Sequence, residues 1–158
     1  MSDSLWLPED ILEAARVGCL EELECWLKRS SEHCGEEGGD SDGEEVSPPS
    51  AESALLRVSA SQGQVSAMKL LLAHGACPNE SAEGGWTSLH FAAESRVQDA
   101  VAVILDHGVA DIDARTTHGN TALHFAAKKG ADCVACLLAA GAPLDAACER
   151  TGKTSLHI

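Results

Sequence analysis

The sequence predicts an all-α fold made of stacked repeat units. Three observations predict it. One phrase recurs along the chain: Thr87 opens TSLHFAA, Thr121 opens TALHFAA and Thr154 opens TSLHI. The period is roughly 33 residues, and self-similarity at a period of this size marks chains in which each unit buries its apolar face against its neighbours. One more step of the same length back from Thr87 reaches Ala54, which opens a degenerate copy, ALLRVSASQG. Second, each complete copy continues into an apolar helical segment closed by glycine: MKLLLAHGA, VAVILDHGVA and CVACLLAAGA. Third, hydrophobic residues make up 44% of the chain but aromatics only 3%, with no tyrosine. The core is therefore aliphatic, and its many alanines suit closely packed helices.

These residues resemble the ankyrin repeat, whose pattern is a turn, the phrase T-P-L-H-x-A-A-x-x-G, a second helix with V-x-x-L-L, and G-A-D-x-N. The resemblance implies an all-α ankyrin-repeat solenoid of helix-turn-helix units joined by β-hairpin loops. It implies about four units and the start of a fifth. Residues 1–29 fit a diverged first unit, because Ile11 to Gly18 matches the first helix and Leu20, Leu23, Trp26 and Leu27 follow at helical spacing. The stretch from Gly18 to Gly63 exceeds one repeat by about 12 residues, inserted in place of the first hairpin. The insertion falls in residues 30–52, which hold eight acids, no base and almost no apolar side chain. Such a composition cannot offset the entropy of ordering and predicts a disordered loop. Residues 53–158 hold three full repeats and a truncated one.

Within a unit, the phrase threonine is expected to cap the first helix with its hydroxyl. Leu89, Leu123 and the pairs Ala92-Ala93 and Ala126-Ala127 form the packed face. Gly63 and Gly130 close the first helices, and Gly75, Gly108 and Gly141 the second ones. Arg96 stands where glycine is expected, which predicts a strained or altered turn. The third unit gains a residue at Val109-Ala110, and the fourth is one residue short between Gly130 and Gly141. The fifth unit starts at Gly152 and the sequence stops at Ile158. The reading expects a fragment of a longer repeat protein, an open face covered by a partner or a second copy, or fraying last helices.

The formal net charge is −14. A phosphate backbone or an anionic membrane would be repelled, and the few aromatic rings argue against stacking on single strands. No apolar run reaches the ~20 residues that span a bilayer. Seven cysteines, an odd number, with no basic signal sequence at Met1-Ser2-Asp3 predict reduced thiols in an intracellular protein, cytoplasmic or nuclear. The charge is uneven: residues 53–158 carry ten acids and eight bases.

The chemical motifs have plainer readings. His90, His124 and His157 belong to the phrase, and the resemblance implies that each bonds to backbone of the neighbouring hairpin. A whole repeat separates them, too far for one zinc ion. Cys133 and Cys136 form C-x-x-C inside a second helix with no further pair, so they read as small buried residues. Gly152-Lys153-Thr154 ends like a phosphate-binding loop, but Ala147 stands where that pattern needs glycine. No catalytic, cofactor or metal residues are assigned, and no enzymatic activity is expected.

What remains is surface. The resemblance implies a protein-interaction module, an adaptor or scaffold, binding through a concave groove lined by hairpin tips and exposed sides of first helices. A rival reading is the regulatory or substrate-recruiting N-terminal part of a larger protein, such as a ubiquitin-ligase adaptor or an enzyme, truncated here. Carried over by position, the partner-binding residues are Glu83 and Trp86; Thr117, His118 and Asn120; Glu94 and Ser95; Lys128 and Lys129; and Arg150 and Lys153. Trp86 is either a partner anchor or a ring packed over the next hairpin. The basic residues cluster at the C-terminal end, suiting an acidic partner segment. Self-association through the open C-terminal face is the other expected contact. Candidate modification sites are Ser41, in an acidic context, Ser47, before proline, and Asn79, at the position that asparagine hydroxylases modify in such repeats.

Overall fold

The computed structural model describes residues 7–32, 51–129, 131–144 and 154. Their helices come in consecutive pairs. The first pair is α1 (Glu9–Val17) and α2 (Leu20–Glu32), the second α3 (Ala51–Gln62) and α4 (Val65–Ala73). The third is α5 (Ser88–Ser95) and α6 (Gln98–Asp106), the fourth α7 (Ala122–Lys129) and α8 (Ala131–Ala139). The odd helices pack α1 to α3 to α5 to α7, and the even ones α2 to α4 to α6 to α8. This is a two-layered all-α solenoid. Helices of eight to thirteen residues are too short to hold alone in water, so the stacking supplies their stability.

The core runs unbroken between the layers. Leu23, Leu55, Leu56, Met68, Leu71, Leu89, Ile104, Leu123 and Leu137 are fully buried. Each contributes roughly 1.5–3 kcal/mol on leaving water. Small residues at the facing positions let the odd helices approach: Ala14-Ala15, Ser59-Ala60 and Ala92-Ala93 are all buried. In the degenerate copy Ser59 replaces alanine, and its buried hydroxyl donates to the Ala15 carbonyl of α1 at 3.3 Å. Gln64 Nε2 donates to the Arg16 carbonyl at 3.3 Å. The first pair is therefore docked on the second although the acidic segment separates them in sequence. Helical residues 30–32 and 51–52 trim that segment at both edges, and 33–50 lie outside the described residues.

The turns between paired helices show why a glycine recurs there. Gly63 adopts φ 68, and a Cβ on it would collide with Val97 of the next unit. Arg96, its counterpart, takes the same left-handed geometry, φ 66 and ψ 10, and is the one non-glycine residue with positive φ among those described. The turn keeps its shape and carries strain, instead of changing shape.

Between units the chain forms a hairpin. Ala82 N–H donates to the Trp86 carbonyl at 2.8 Å around the tight turn Glu83–Gly85, and Thr116 N–H to the Asn120 carbonyl at 2.9 Å one repeat later. The two hairpins touch through Thr117 N–H and the Gly84 carbonyl, 2.9 Å apart. A side chain at Gly85 would press on Arg115 O and Thr116 Cα, both 3.1 Å from its Cβ position. Asn79 adds a second link between units: its amide donates to the Val109 carbonyl and accepts from Asp111 N–H, each at 2.7 Å.

Candidate interaction surface

Each odd helix leaves one stripe less buried than the rest. In α5, Leu89, His90, Ala92 and Ala93 are buried, whereas Phe91, Glu94 and Ser95 are half-buried or exposed. The same positions in α3 are Val58, Ser61 and Gln62, and in α7 Phe125, Lys128 and Lys129. Spacing i, i+3, i+4 puts these three residues on one face of each helix. Adjacent odd helices pack together, so the stripes adjoin into one surface beside the hairpins.

Aromatic rings hold this surface together. Trp86 projects from the hairpin onto both neighbouring phenylalanines, with ring centroids 5.1 Å from Phe91 and 4.5 Å from Phe125. Tilted contacts at these distances contribute beyond area burial. Trp86 is half-buried, and these ring contacts are with phenylalanines of the helices and not with the next hairpin. Phe91 and Phe125, the only two phenylalanines of the chain, were not among the residues the sequence singled out for the surface. The signal was available: each stands three residues before Glu94 or Lys128, on the same helical face.

Beneath the rings, His90 joins three segments. Thr87 N–H donates to His90 Nδ1 at 3.2 Å, and the Thr87 hydroxyl lies 2.9 Å from the same nitrogen. The threonine thus does more than the simple cap expected from the sequence: it and the histidine form a reciprocal capping box. Because Nδ1 accepts, Nε2 carries the proton, and it donates to the Asn120 carbonyl of the next hairpin at 3.2 Å. Burial holds the imidazole below its ordinary 6.5, against the raising pull of the Asn120 and Ala114 carbonyls and of Asp111. Thr121 and His124 repeat the contact with 3.2 and 2.9 Å distances. In the degenerate unit Arg57 stands at the histidine position, buried, and donates to the Glu80 carbonyl at 3.4 Å.

The structure separates the expected surface residues. Glu83, Thr117 and His118 are exposed at hairpin tips. Glu94 and Lys129 meet across two helices at 3.7 Å, both partly exposed. Lys128 is exposed and makes no ion pair among the described residues. Two residues expected to face a partner also have structural work. Ser95 Oγ donates to the Ala92 carbonyl at 2.8 Å and accepts Val97 N–H at 3.3 Å, closing the end of α5. Asn120 is half-buried, and its backbone serves His90 and Thr116. Arg150, Lys153, Ser41 and Ser47 lie outside the described residues, as does His157.

Other features fit packing better than chemistry. Cys133 is buried in α8, and desolvation pushes its thiol above the ordinary 9.0, reinforced by Cys136 and Asp132. A raised thiol is a poor nucleophile. Cys136 Sγ lies 3.3 Å from Gln98 Nε2 of the preceding unit. Among the described residues no group of three His, Cys, Asp or Glu side chains could hold a metal ion. No helix among them is long and apolar enough to cross a membrane. A cleft of about 310 Å³ opens on the even layer, lined by Lys69, Leu72, Val103 and His107.

A solenoid of paired helices and hairpins, with a polar and aromatic stripe along one layer, defines a repeat protein of the interaction class. Comparison with known families agrees. The model for ankyrin repeats in three copies matches residues 11–116, and that for ankyrin repeats in many copies matches residues 104–158. The chain belongs to the ankyrin repeat family. It is 34% identical over 93 residues to the B-cell lymphoma 3 protein homolog of Mus musculus, covering 56% of this chain and 21% of that protein. It is 38% identical over 93 residues to the E3 ubiquitin-protein ligase KEG of Arabidopsis thaliana, covering 58% of this chain and 6% of the ligase. The nuclear factor NF-kappa-B p105 subunit of Gallus gallus is 40% identical over 80 residues, covering 49% of this chain and 8% of the subunit. The match spans about a fifth or less of each relative's length. Ankyrin repeats are in general non-catalytic protein-interaction modules.

Proposed function

We propose that this chain is an adaptor or scaffold that holds a protein partner along the stripe of its odd helices and at its hairpin tips. The observation that carries the reading is the stripe itself. Its residues stand on helices whose opposite faces are fully buried, so the surface is rigid before a partner arrives and little ordering entropy opposes binding. The contacts proposed are Glu83, Thr117 and His118 at the tips, Trp86 with Phe91 and Phe125 between them, and Glu94, Lys128 and Lys129 on the stripe. Arg150 and Lys153, outside the described residues, are proposed as further contacts. The test is affinity capture from the native cells with the wild type, Trp86→Ala, Lys128→Glu and, on the even layer, Lys69→Glu. Proteins lost with the first two variants and retained with the third support the reading. Loss with Lys69→Glu alone would place the partner on the even layer and sink it.

A second reading, a substrate-recruiting part of a ubiquitin ligase, is favoured by the similarity to an E3 ubiquitin-protein ligase. It expects a ubiquitin ligase among the captured proteins. In either role the chain is placed inside the cell, where thiols such as exposed Cys25 and Cys77 stay reduced. Ser41, Ser47 and Asn79 are proposed as modification sites. For Asn79, unshifted peptide mass from the cellular protein counts against hydroxylation. Self-association at the C-terminal side rests on Leu138 and Leu144, 39% and 41% exposed. Light scattering that gives a monomer at every concentration rejects it.

A further inference from the structure

The groove stripe has a chemical gradient that specifies its ligand. In α3 it reads Val58, Ser61, Gln62, aliphatic and uncharged. In α5 it reads Phe91, Glu94, Ser95, but the serine hydroxyl is engaged within its own helix end and the glutamate faces Lys129 at 3.7 Å. In α7 it reads Phe125, Lys128, Lys129. The Glu94 carboxylate is thus already drawn to one lysine, and Lys128 remains exposed without an ion pair among the described residues. Phe125 stands one turn before it on the same helix face, its ring packed with that of Trp86, which also meets Phe91, and all three residues are half-buried. Apolar rings next to an uncompensated cation are complementary to an apolar side chain next to a carboxylate.

We propose that this site takes a linear protein segment in extended conformation, with an apolar side chain on the Trp86–Phe91–Phe125 cluster and an aspartate or glutamate two residues further at Lys128. The spacing follows from geometry. Phe125 and Lys128 are three residues apart on one helix, about 4.5 Å along its axis, and the flexible lysine stem adds reach. In an extended segment every second side chain returns to the same face, about 7 Å on. An acid two residues after the apolar contact therefore meets the ammonium group. The proposal rests on reading the odd-helix stripe as the binding face.

A displayed library of linear twelve-residue peptides, panned against the full chain and against Lys128→Glu, tests both. The wild type is expected to enrich an apolar residue followed two positions later by Asp or Glu. Lys128→Glu is expected to lose that acid preference while keeping the apolar one. A synthetic wild-type winner, measured by fluorescence anisotropy, should bind Lys128→Glu about five- to tenfold more weakly and lose affinity as salt rises. Winners without an acid, an unchanged motif with Lys128→Glu, or no enrichment at all would overturn the proposal. Winners without an acid that are still lost on Phe125→Ser leave the groove reading standing and remove only the ligand chemistry. Winners indifferent to both changes but lost with Lys69→Glu remove the groove reading too. Circular dichroism melts confirm that each variant folds, and Phe125→Leu replaces Phe125→Ser if the latter does not.

Discussion

Replacing Arg96 by glycine is expected to make the protein more stable, although the change removes a whole side chain. Arg96 ends α5 at φ 66 and ψ 10. A side chain in that region brings Cβ close to the following carbonyl, at roughly 1–2 kcal/mol. Glycine relieves that strain but makes the unfolded chain freer, which offsets about 0.4–1 kcal/mol. The side chain is exposed and belongs to no hydrogen bond or ion pair among the described residues, so little else is lost. The net gain is about 0.5–1 kcal/mol, or a rise of about 1–4 °C in Tm for a chain of this size. Urea and thermal unfolding followed by circular dichroism measure it. The matching Gly63→Ala change should act oppositely, losing about 2–4 kcal/mol, because it adds left-handed strain and a clash with Val97. A neutral or destabilising Arg96→Gly would refute the argument that this turn stores strain.

Three further outcomes follow from the same physics. Ser88 is fully buried and its hydroxyl has no hydrogen-bond partner among the described residues. Ser88→Ala should therefore stabilise the fold by roughly 1 kcal/mol in denaturant titration. Gly85→Ala should force the hairpins apart and cost about 2 kcal/mol or more. Its specific sign is faster hydrogen exchange at the Thr117 amide, which bonds to Gly84. His90 titrates below 6.5 in the folded chain, so between its folded value and 6.5 the unfolded chain binds more protons. Its share of stability is complete above 6.5 and declines as the pH falls through that window. His90→Asn should flatten the slope of stability against pH there, and an unchanged slope would contradict the buried neutral imidazole.

The frame was legible in the sequence and the surface only partly so. Thr87, Leu89, His90 and Ala92-Ala93 repeat at Thr121, Leu123, His124 and Ala126-Ala127 because each must meet the same neighbour one unit on. That repetition also concealed Phe91 and Phe125. They recur within the phrase, so they read as frame, while their position three residues before Glu94 and Lys128 puts them on the exposed stripe. Ser95 shows a second role that the spacing did not reveal: its helical position is on the stripe, and a hydroxyl one residue before the turn also finds backbone partners.

By itself the sequence determined the architecture, because a short, regular repeat leaves stacking as the only way for each helix pair to bury its apolar face. It also determined that Arg96 occupies a turn made for glycine. Tertiary structure alone decided how that conflict resolves, with the backbone kept left-handed and strained. Packing between α5 and α7 put Trp86 onto two phenylalanines that lie one whole repeat apart in sequence. The same packing set Glu94 against Lys129 and left Lys128 exposed. Local pattern fixes which face of a helix is exposed, whereas the partners on that face are supplied by neighbouring units, and their distances exist only once the units are stacked.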